Sequence, residues 1–497
     1  MSTKLESGTL VIFGITGDLA ARMLLPALYH LICDELLPEP FAIVGITRRE
    51  VAVDAIIERL RTTLAATGAP NAEVLNGLAA RITIRQLDES DPAAYQALKA
   101  EFDQREETSG VCFNRLFYLA VPPTATGQIV DQLGVSGLNE GCAHEVGVSR
   151  LLLEKPFGRD LASAEALINQ IKQHFTDDRV YRIDHYLAKE TSQNILTFRF
   201  DNPLFAPIWD WHSVSSISIT AAEAIGVEGR AGFYESTGAL RDLIQSHLLQ
   251  LLALVTMEQP ADMTAEAIQE QKLNLLHAVT APHDQPLAAW AVRGQYRGYR
   301  AEADQPTSSV ETFAMLRLAI NNERWRGVPI FLRTGKRLAQ RATEITLTYR
   351  DRHQPDRPAN TLTLAIAPNE GVGLSLQAKR PGFEAATDTV QMDFCYNRSF
   401  SGVAPSAYER VLVDAVKGDQ TLFATAAEVL ASWRIIEPVI QAWGRNGDGL
   451  VEYEPGSWGP PAASALAEAA GAPWLTHQIA VCQVPGLGQP QLKPTLS

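Results

Sequence analysis

Basic residues are in the minority in this 497-residue chain: 43 lysines and arginines face 57 aspartates and glutamates, a net charge of -14. That balance disfavours nucleic acid and anionic membrane as partners, so any anionic ligand must be held by a local basic cluster. Cysteine is scarce as well. The five, at 33, 112, 142, 395 and 482, include no CxxC pair, and in a chain that does not need staples they read as thiols in a reducing cytoplasm. HExxH is absent, as is any spaced Cys/His cluster, so metal catalysis has no support and no metal is expected. No stretch approaches ~18 uninterrupted apolar residues, and the opening MSTKLESG lacks an apolar signal segment, so neither a membrane span nor a targeting segment is expected. There is no internal repeat.

What is present is apolar content, 46 % of residues, enough to fill two or three cores in a chain of this length. TLVIF (9 to 13) is a β-branched and aromatic run that stops at Gly14, and GITGDLAARMLLPALYHL then takes on helical periodicity. The resulting Gly14-x-x-Gly17-x-x-Ala20 is a variant of the dinucleotide fingerprint, in which glycines let the backbone approach a pyrophosphate and the helix N-terminus holds it. Read alone, it also fits a tight turn with no ligand. A second strand, FAIVGIT (41 to 47), ends in Arg48-Arg49 where an NAD-preferring site usually carries an acid, and an arginine there suits a 2′-phosphate. RITIRQL (81 to 87), a helix near 91 to 105, RLFYLAVPP (115 to 123) and SRLLLEKPFG (149 to 158) continue the alternation. Residues 1–178 are therefore expected to form an N-terminal Rossmann-like doubly wound parallel sheet, within an α/β plus α+β chain.

Ligands of such sheets bind at the carboxyl ends of the strands, which is where Glu154-Lys155-Pro156-Phe157-Gly158 falls. Lys155 could reach substrate and cofactor together, aimed by Pro156 if that bond is cis; a snorkelling lysine at a strand end fits equally. The densest chemistry lies in YRIDHYLAKE (181 to 190). If a helix begins near Asp184, His185 and Lys189 share a face at i and i+4 and can both donate to a phosphate. Asp184 could cap that helix, or accept the Nδ1 proton of a histidine brought in from elsewhere.

From about residue 179 the style changes. ILTFRF, VSSISIT, TLTLAI, VGLSLQAKR and VQMDFCY read as strands of a large, mainly antiparallel sheet covered by helices, filling a second domain over 179–474. Within it GALRDLIQSHLLQLLALVTM (238 to 257) is a strongly periodic helix with apolar positions at 240, 243, 244, 248, 251, 252 and 255. His247 lies beside that stripe, either a satisfied core residue or a site residue. The five-residue offset from Asp242, ~140° of α-helix, makes the two flank a pocket rather than stack. Glu223 sits upstream in a glycine-rich turn, and VPIFLRTGKRLAQR is a strand followed by a loop carrying Lys336 and Arg341.

Taken together, GITGDLA, EKPFG, RIDHYLAKE, GRAGFY with RDLIQSHLLQ, RTGKRL, GDQTLF and GSWGP resemble, in this order along nearly the whole chain, the glucose-6-phosphate dehydrogenase family. RIDHYLAKE is the most specific of them. The resemblance implies oxidation of glucose 6-phosphate at C1 to 6-phosphoglucono-1,5-lactone, the first step of the oxidative pentose phosphate pathway, with NADP as cofactor and NAD as a weaker alternative. It also implies a homodimer or dimer of dimers formed through the second domain's sheet. It makes His247 the base, oriented by Asp184, and His185, Tyr186 and Lys189 the phosphate ligands. Lys155, Glu223, Asp242 and Lys336 match positions that contact or position the sugar, with Arg341 grouped beside them. Gly14, Thr16, Gly17, Asp18, Leu19 and Arg48 match cofactor contacts, as does Lys155.

Several positions depart from the family's commonest wording: Ala188 replaces a glycine, Ile15-Thr16 replaces Ala-Ser, Ala21 removes a basic residue and Ser246 replaces an asparagine beside the base. Residues 475–497 run past the family's usual end and are expected to be a loose tail. Two rival readings remain: a non-enzymatic dinucleotide-binding paralogue, against which the retention of Asp184, His247, Lys155 and Lys189 together argues, and a dehydrogenase of the same fold acting on another aldose phosphate or preferring NAD.

Overall fold

The structure, a computed structural model, describes residues 7–472 apart from 67, 143–146, 283, 352–356, 401–404 and 447–448; the expected tail, 475–497, lies outside the described residues. Two sheets carry the architecture. The first contains β1 (Gly8–Phe13), β2 (Phe41–Thr47), β3 (Ile82–Gln86), β4 (Asn114–Leu119), β5 (Ser149–Leu153) and β6 (Val180–Ile183), all parallel, in the order β6-β5-β4-β1-β2-β3. The inner strands β1 and β4 are buried along their whole length and read as near-continuous apolar runs because both faces are covered, while β3 at the edge (ITIRQ) is partly exposed. Along β1, Leu10 and Ile12 enter one core while Val11 and Phe13 enter another on the opposite face. The chain runs outward in one direction from β1 and in the other from β4, which opens a crevice beyond their carboxyl ends.

The second sheet has ten strands: β7 (Val214–Ala222), β8 (Val279–Thr280), β9 (Ala291–Tyr296), β10 (Phe313–Ile320), β11 (Ile330–Gly335), β12 (Ala342–Tyr349), β13 (Thr361–Ala367), β14 (Gly371–Lys379), β15 (Thr387–Cys395) and, after a return to the first sheet by β16 (Phe423–Ala424), β17 (Leu450–Tyr453). Their order is β15-β14-β13-β12-β7-β11-β10-β9-β17, with β8 on β10; all pairs are antiparallel except β7 with β11 and β9 with β17. No helix among the described residues is long and apolar enough to cross a membrane.

Four expectations need correction. The boundary drawn after residue 178 falls ahead of β6, which pairs with β5, so the first sheet ends later; β16 pairs with β6, and Tyr408, Val411 and Leu412 join its core, so the chain returns to this domain near its end. ILTFRF is not a strand but the end of the helix Glu190–Phe200. Its buried positions, Thr191, Ser192, Ile195, Leu196 and Arg199, form a helical stripe that the six-residue window was too short to reveal. The cysteines are not all thiols: Cys112 and Cys142 form a disulfide, with Cα atoms 5.6 Å apart. They lie 30 residues apart and meet where the chain enters β4 and approaches β5. Finally, the helix expected over 238 to 257 is broken at Gly238 (φ 69°, ψ 172°), runs as a π-helix over Leu240–Leu248 and becomes α-helical over Leu249–Thr256. Its apolar stripe is buried as expected, with Leu240, Leu243, Ile244, Leu248, Leu251, Leu252 and Val255 all in the second domain's core.

Candidate active site

The end of β6 delivers Asp184 to the crevice, but no helix begins there. The Asp184 carboxylate accepts the Tyr186 backbone N–H at 2.9 Å, and the main chain turns through Leu187 N–H to Asp184 O (3.1 Å) and Lys189 N–H to Tyr186 O (3.3 Å). Such a side-chain turn competes with helix, so the helix starts only at Glu190. His185 and Lys189 therefore converge through a turn rather than along one helical face.

His247 arrives from the π-helix. Its Nδ1 donates to Asp184 Oδ1 at 2.6 Å, and both side chains are buried, 1 % and 6 % exposed. A carboxylate only accepts, so this contact puts the proton on Nδ1 and leaves the lone pair of the neutral ring on Nε2. That Nε2 is buried and has no hydrogen-bond partner among the described residues. Rings close around it: Tyr186 stacks on His247 at 4.3 Å, His185 meets it edge-on at 4.6 Å, and the Lys189 ammonium lies 4.5 Å over Tyr186.

The π-helix also changes the relation of Asp242 to His247. Bonds run i to i+5 there, so a five-residue offset is about one turn and the two side chains fall on the same face, not on flanks. Lys155 reaches across from the end of β5, donating to Asp242 O at 2.7 Å and Asp242 Oδ1 at 3.0 Å; the Lys155–Pro156 bond is cis. Lys336 donates to Glu223 Oε2 at 2.6 Å and lies 5.1 Å over the Tyr234 ring. Arg341, just before β12, is exposed and near enough to Lys189 to act on its charge. Ser246 donates to Asp242 O at 2.9 Å, so it ties the helix to itself and makes no bond to the imidazole.

Burial dominates the electrostatics. It would raise the Asp184 carboxyl, but the charges of His247 and His185 with the bond to His247 outweigh it and hold the group well below the usual carboxylate range. Burial would likewise raise Asp242, yet Lys155 and Lys336 bring it down to about 2. Burial lowers His247, with Asp184 acting in the opposite direction, and drives His185 well below the ordinary histidine value, so both rings are neutral at physiological pH. Lys189 is lowered to about 8, again chiefly by burial.

At the crevice, Gly14 has φ +82° and a Cβ on it would stand 2.5 Å from the Ala120 carbonyl oxygen. The turn is anchored by Gly14 N–H to Ile46 O (3.1 Å) and Gly17 N–H to Gly14 O (2.8 Å). The helical turns begin at Asp18 and carry Leu19, so their N-terminal end points at the space beside Gly14, Thr16 and Gly17. Arg48 follows β2 directly and is exposed. A bare-backbone cradle and a helix N-terminus fit the pyrophosphate of a dinucleotide, and Arg48, whose charge also acts on Asp88, stands just past the end of β2.

Sequence reasoning passed over some members of this arrangement. Arg59 donates to Thr16 O at 2.6 Å and lies 3.6 Å from Asp18, bracing the turn from the helix Val53–Ala65. Tyr118 donates to Glu154 beside Lys155, and Tyr408 bonds the same carboxylate, whose pKa burial raises. Glu370 accepts from Thr191 at 2.8 Å and acts on Lys189. Arg59, Tyr118, Tyr408 and Glu370 come from segments distant in sequence; Glu154 alone carried a signal, its place before Lys155. A separate cavity of about 580 Å³, lined by Asn321, Asn322, Glu323 and Arg326 among others, contains none of the expected site residues.

Comparison with known proteins places the chain in a family. The family description "Glucose-6-phosphate dehydrogenase, NAD binding domain" matches residues 11–194 and "Glucose-6-phosphate dehydrogenase, C-terminal domain" matches residues 196–475. A glucose-6-phosphate 1-dehydrogenase of Aggregatibacter actinomycetemcomitans is 39% identical over 486 residues, 95% of this chain and 98% of its own. One of Bacillus subtilis (strain 168) is 36% identical over 483 residues, 94% of this chain and 97% of its own. Among solved structures, a glucose-6-phosphate dehydrogenase in complex with its substrate glucose-6-phosphate superimposes with TM-score 0.87 at 31% identity, over 96% of this chain and 100% of that one. With both halves matched and relatives of this identity aligned from end to end, the chain belongs to the glucose-6-phosphate dehydrogenase family.

Proposed function

We propose that this chain oxidises D-glucose 6-phosphate at C1 to 6-phospho-D-glucono-1,5-lactone, with NADP as the cofactor. The observation that carries the chemistry is the buried, unpartnered Nε2 of His247 behind an Nδ1 held by Asp184 at 2.6 Å. The C1 hydroxyl gives its proton to Nε2 as the C1–H bond breaks and its electron pair leaves carbon as hydride, so that the C1–O bond becomes a carbonyl. The nicotinamide ring, when bound, supplies the hydride acceptor. Asp184 stabilises the imidazolium that forms and holds the ring in the productive tautomer.

Lys189, neutral His185 and the Tyr186 phenol hold the phosphate of the substrate. Lys155 with Asp242, and Lys336 with Glu223, set donor-only ammoniums beside acceptor-only carboxylates. Sugar hydroxyls both donate and accept, which suits such pairs; Arg341 adds a cation at the phosphate side. The turn at Gly14, Thr16, Gly17, Asp18 and Leu19 holds the pyrophosphate, and Arg48 meets the 2′-phosphate.

A second copy of the chain covers β15. That strand ends the large sheet with its outer edge unpaired among the described residues, and Val390 and Met392 are 40 % and 60 % exposed on it, an apolar edge of the kind proteins cover. The reading is a homodimer, or a dimer of dimers.

The test follows reduced-nicotinamide absorbance with glucose 6-phosphate, glucose and galactose 6-phosphate, each with NADP and with NAD. Fast turnover with glucose 6-phosphate and NADP is expected. Faster turnover of galactose 6-phosphate, or preference for NAD, would overturn the corresponding half of the proposal.

A further inference from the structure

We infer that Glu311 is a positioning residue for the reaction: it caps the helix that carries Asp242 and His247 and sets where the imidazole meets Asp184. This rests on the reading of His247 as the base. The first N–H groups of a helix need partners from outside it. Ala239, at the N-cap of the π-helix, has no side chain that can serve, and none of its neighbours does. Glu311, from the loop ahead of β10, does so instead. The Glu311 carbonyl accepts from Ala239 N–H at 3.0 Å and its Oε1 accepts from Leu240 N–H at 3.1 Å.

The approach has been cleared for it. Gly238 has φ +69°, and a Cβ there would stand 2.4 Å from Glu311 Oε1 and 2.7 Å from its Cδ. A left-handed glycine thus both turns the chain into the helix and leaves room for the carboxylate. Glu311 is 6 % exposed, and a carboxylate at that end also complements the helix dipole. The next residue extends the reach of this contact: Thr312 O accepts Lys336 N–H at 2.9 Å. One short loop therefore fixes both the helix bearing the base and the backbone of a lysine across the site.

A cap that slackens moves the helix, and His247 with it, relative to Asp184, which is held in a separate turn by the Tyr186 and Leu187 N–H groups. The groups around the imidazole are Asp184, His185 and Tyr186 from the turn after β6, Lys155 from the end of β5 and Asp242 from its own helix. Around Glu311 they are Tyr234, Tyr299, Arg241 and Arg293. Of the first set, Asp184 is the largest influence keeping the imidazole basic, so loosening that contact lowers the pKa of His247.

Two substitutions separate reach from charge. Glu311→Gln keeps the length and an acceptor oxygen but loses the charge; Glu311→Asp keeps the charge but falls one methylene short of Leu240 N–H. On holoenzyme of checked melting temperature, kcat, KM for glucose 6-phosphate and the acid limb of kcat are measured for both, with His247→Asn alongside. The expected result is Glu311→Gln close to wild type, and Glu311→Asp with kcat down about 10- to 100-fold, little change in KM and an acid limb moved to lower pH. A merely structural defect would reduce the active fraction at every pH and leave the limb in place. Glu311→Asp with wild-type kcat, Glu311→Gln as impaired as Glu311→Asp, or an unmoved acid limb would each overturn the inference. If His247→Asn retains its kcat, the base assignment fails, whereas its collapse beside a healthy Glu311→Asp removes only the cap.

Discussion

Asp184 and His247 stand 63 positions apart in the chain and 2.6 Å apart in the fold, joined across the line between the two sheets. Every other group in the site can be located from this contact. Lys155 and Asp242 lie on the side of the strand ends, the Tyr186 ring stacks on the imidazole, and Lys189 sits beyond that ring.

Cofactor choice should turn on Arg48. A charge-assisted contact is worth ~1.5–3 kcal/mol, so Arg48→Ala should raise KM for NADP by roughly 10- to 150-fold and leave KM for NAD nearly unchanged. Initial-rate kinetics with both cofactors decide it; equal effects would remove Arg48 from the 2′-phosphate.

Lys189 should make phosphate binding pH-dependent. With its pKa lowered to about 8, the free enzyme loses this charge as pH rises past that point, while a dianionic phosphate favours the protonated form. KM for glucose 6-phosphate should therefore climb above that pH, by up to about tenfold per pH unit, and Lys189→Arg should flatten the climb. Lys189→Ala should weaken glucose 6-phosphate strongly and leave the poor use of free glucose alone. A flat KM through this range in the wild type would contradict the assignment.

Stability has its own handle in Lys272 and Glu428, an ion pair at 2.9 Å with both side chains fully buried. Removing one partner strands a charge, so Lys272→Met should cost about 3–5 kcal/mol. Adding Glu428→Leu should recover part of it, because the stranded charge is gone, while Gln250, which donates to Glu428 Oε2 at 3.3 Å, loses that partner. Chemical denaturation of the single and double variants measures this, and a double variant weaker than the single would refute it.

The first sheet was legible because its inner strands are short, mostly apolar runs bounded by turn residues, and Gly14 and Lys155 could be placed at strand ends from that pattern alone. The site was legible mainly through the resemblance. From the residues themselves, Asp184 asked for a histidine without saying which, and His247 was a lone histidine beside an apolar stripe, a pattern that fits a core residue as well as a base. What escaped has a common cause. The turn at Asp184, the π-helix from Leu240 and the Glu311 cap all depend on a side chain or a backbone break that overrides local propensity, and periodicity registers propensity. The disulfide and the return of Tyr408 to the first sheet depend on contacts between distant segments, which no spacing rule encodes.

The central claim is that His247 takes the proton, and the most direct measurement is kcat and KM for His247→Asn, Asp184→Asn and the double variant on protein shown by circular dichroism to be folded. Asparagine cannot accept the proton productively, so His247→Asn should lower kcat by roughly 10²–10⁴ with little change in KM. Asp184→Asn should do the same more mildly, and the double variant should fall far short of the product of the two, because the pair acts as one unit. A His247→Asn enzyme that keeps most of its kcat would contradict the account and move the search for the base to His185.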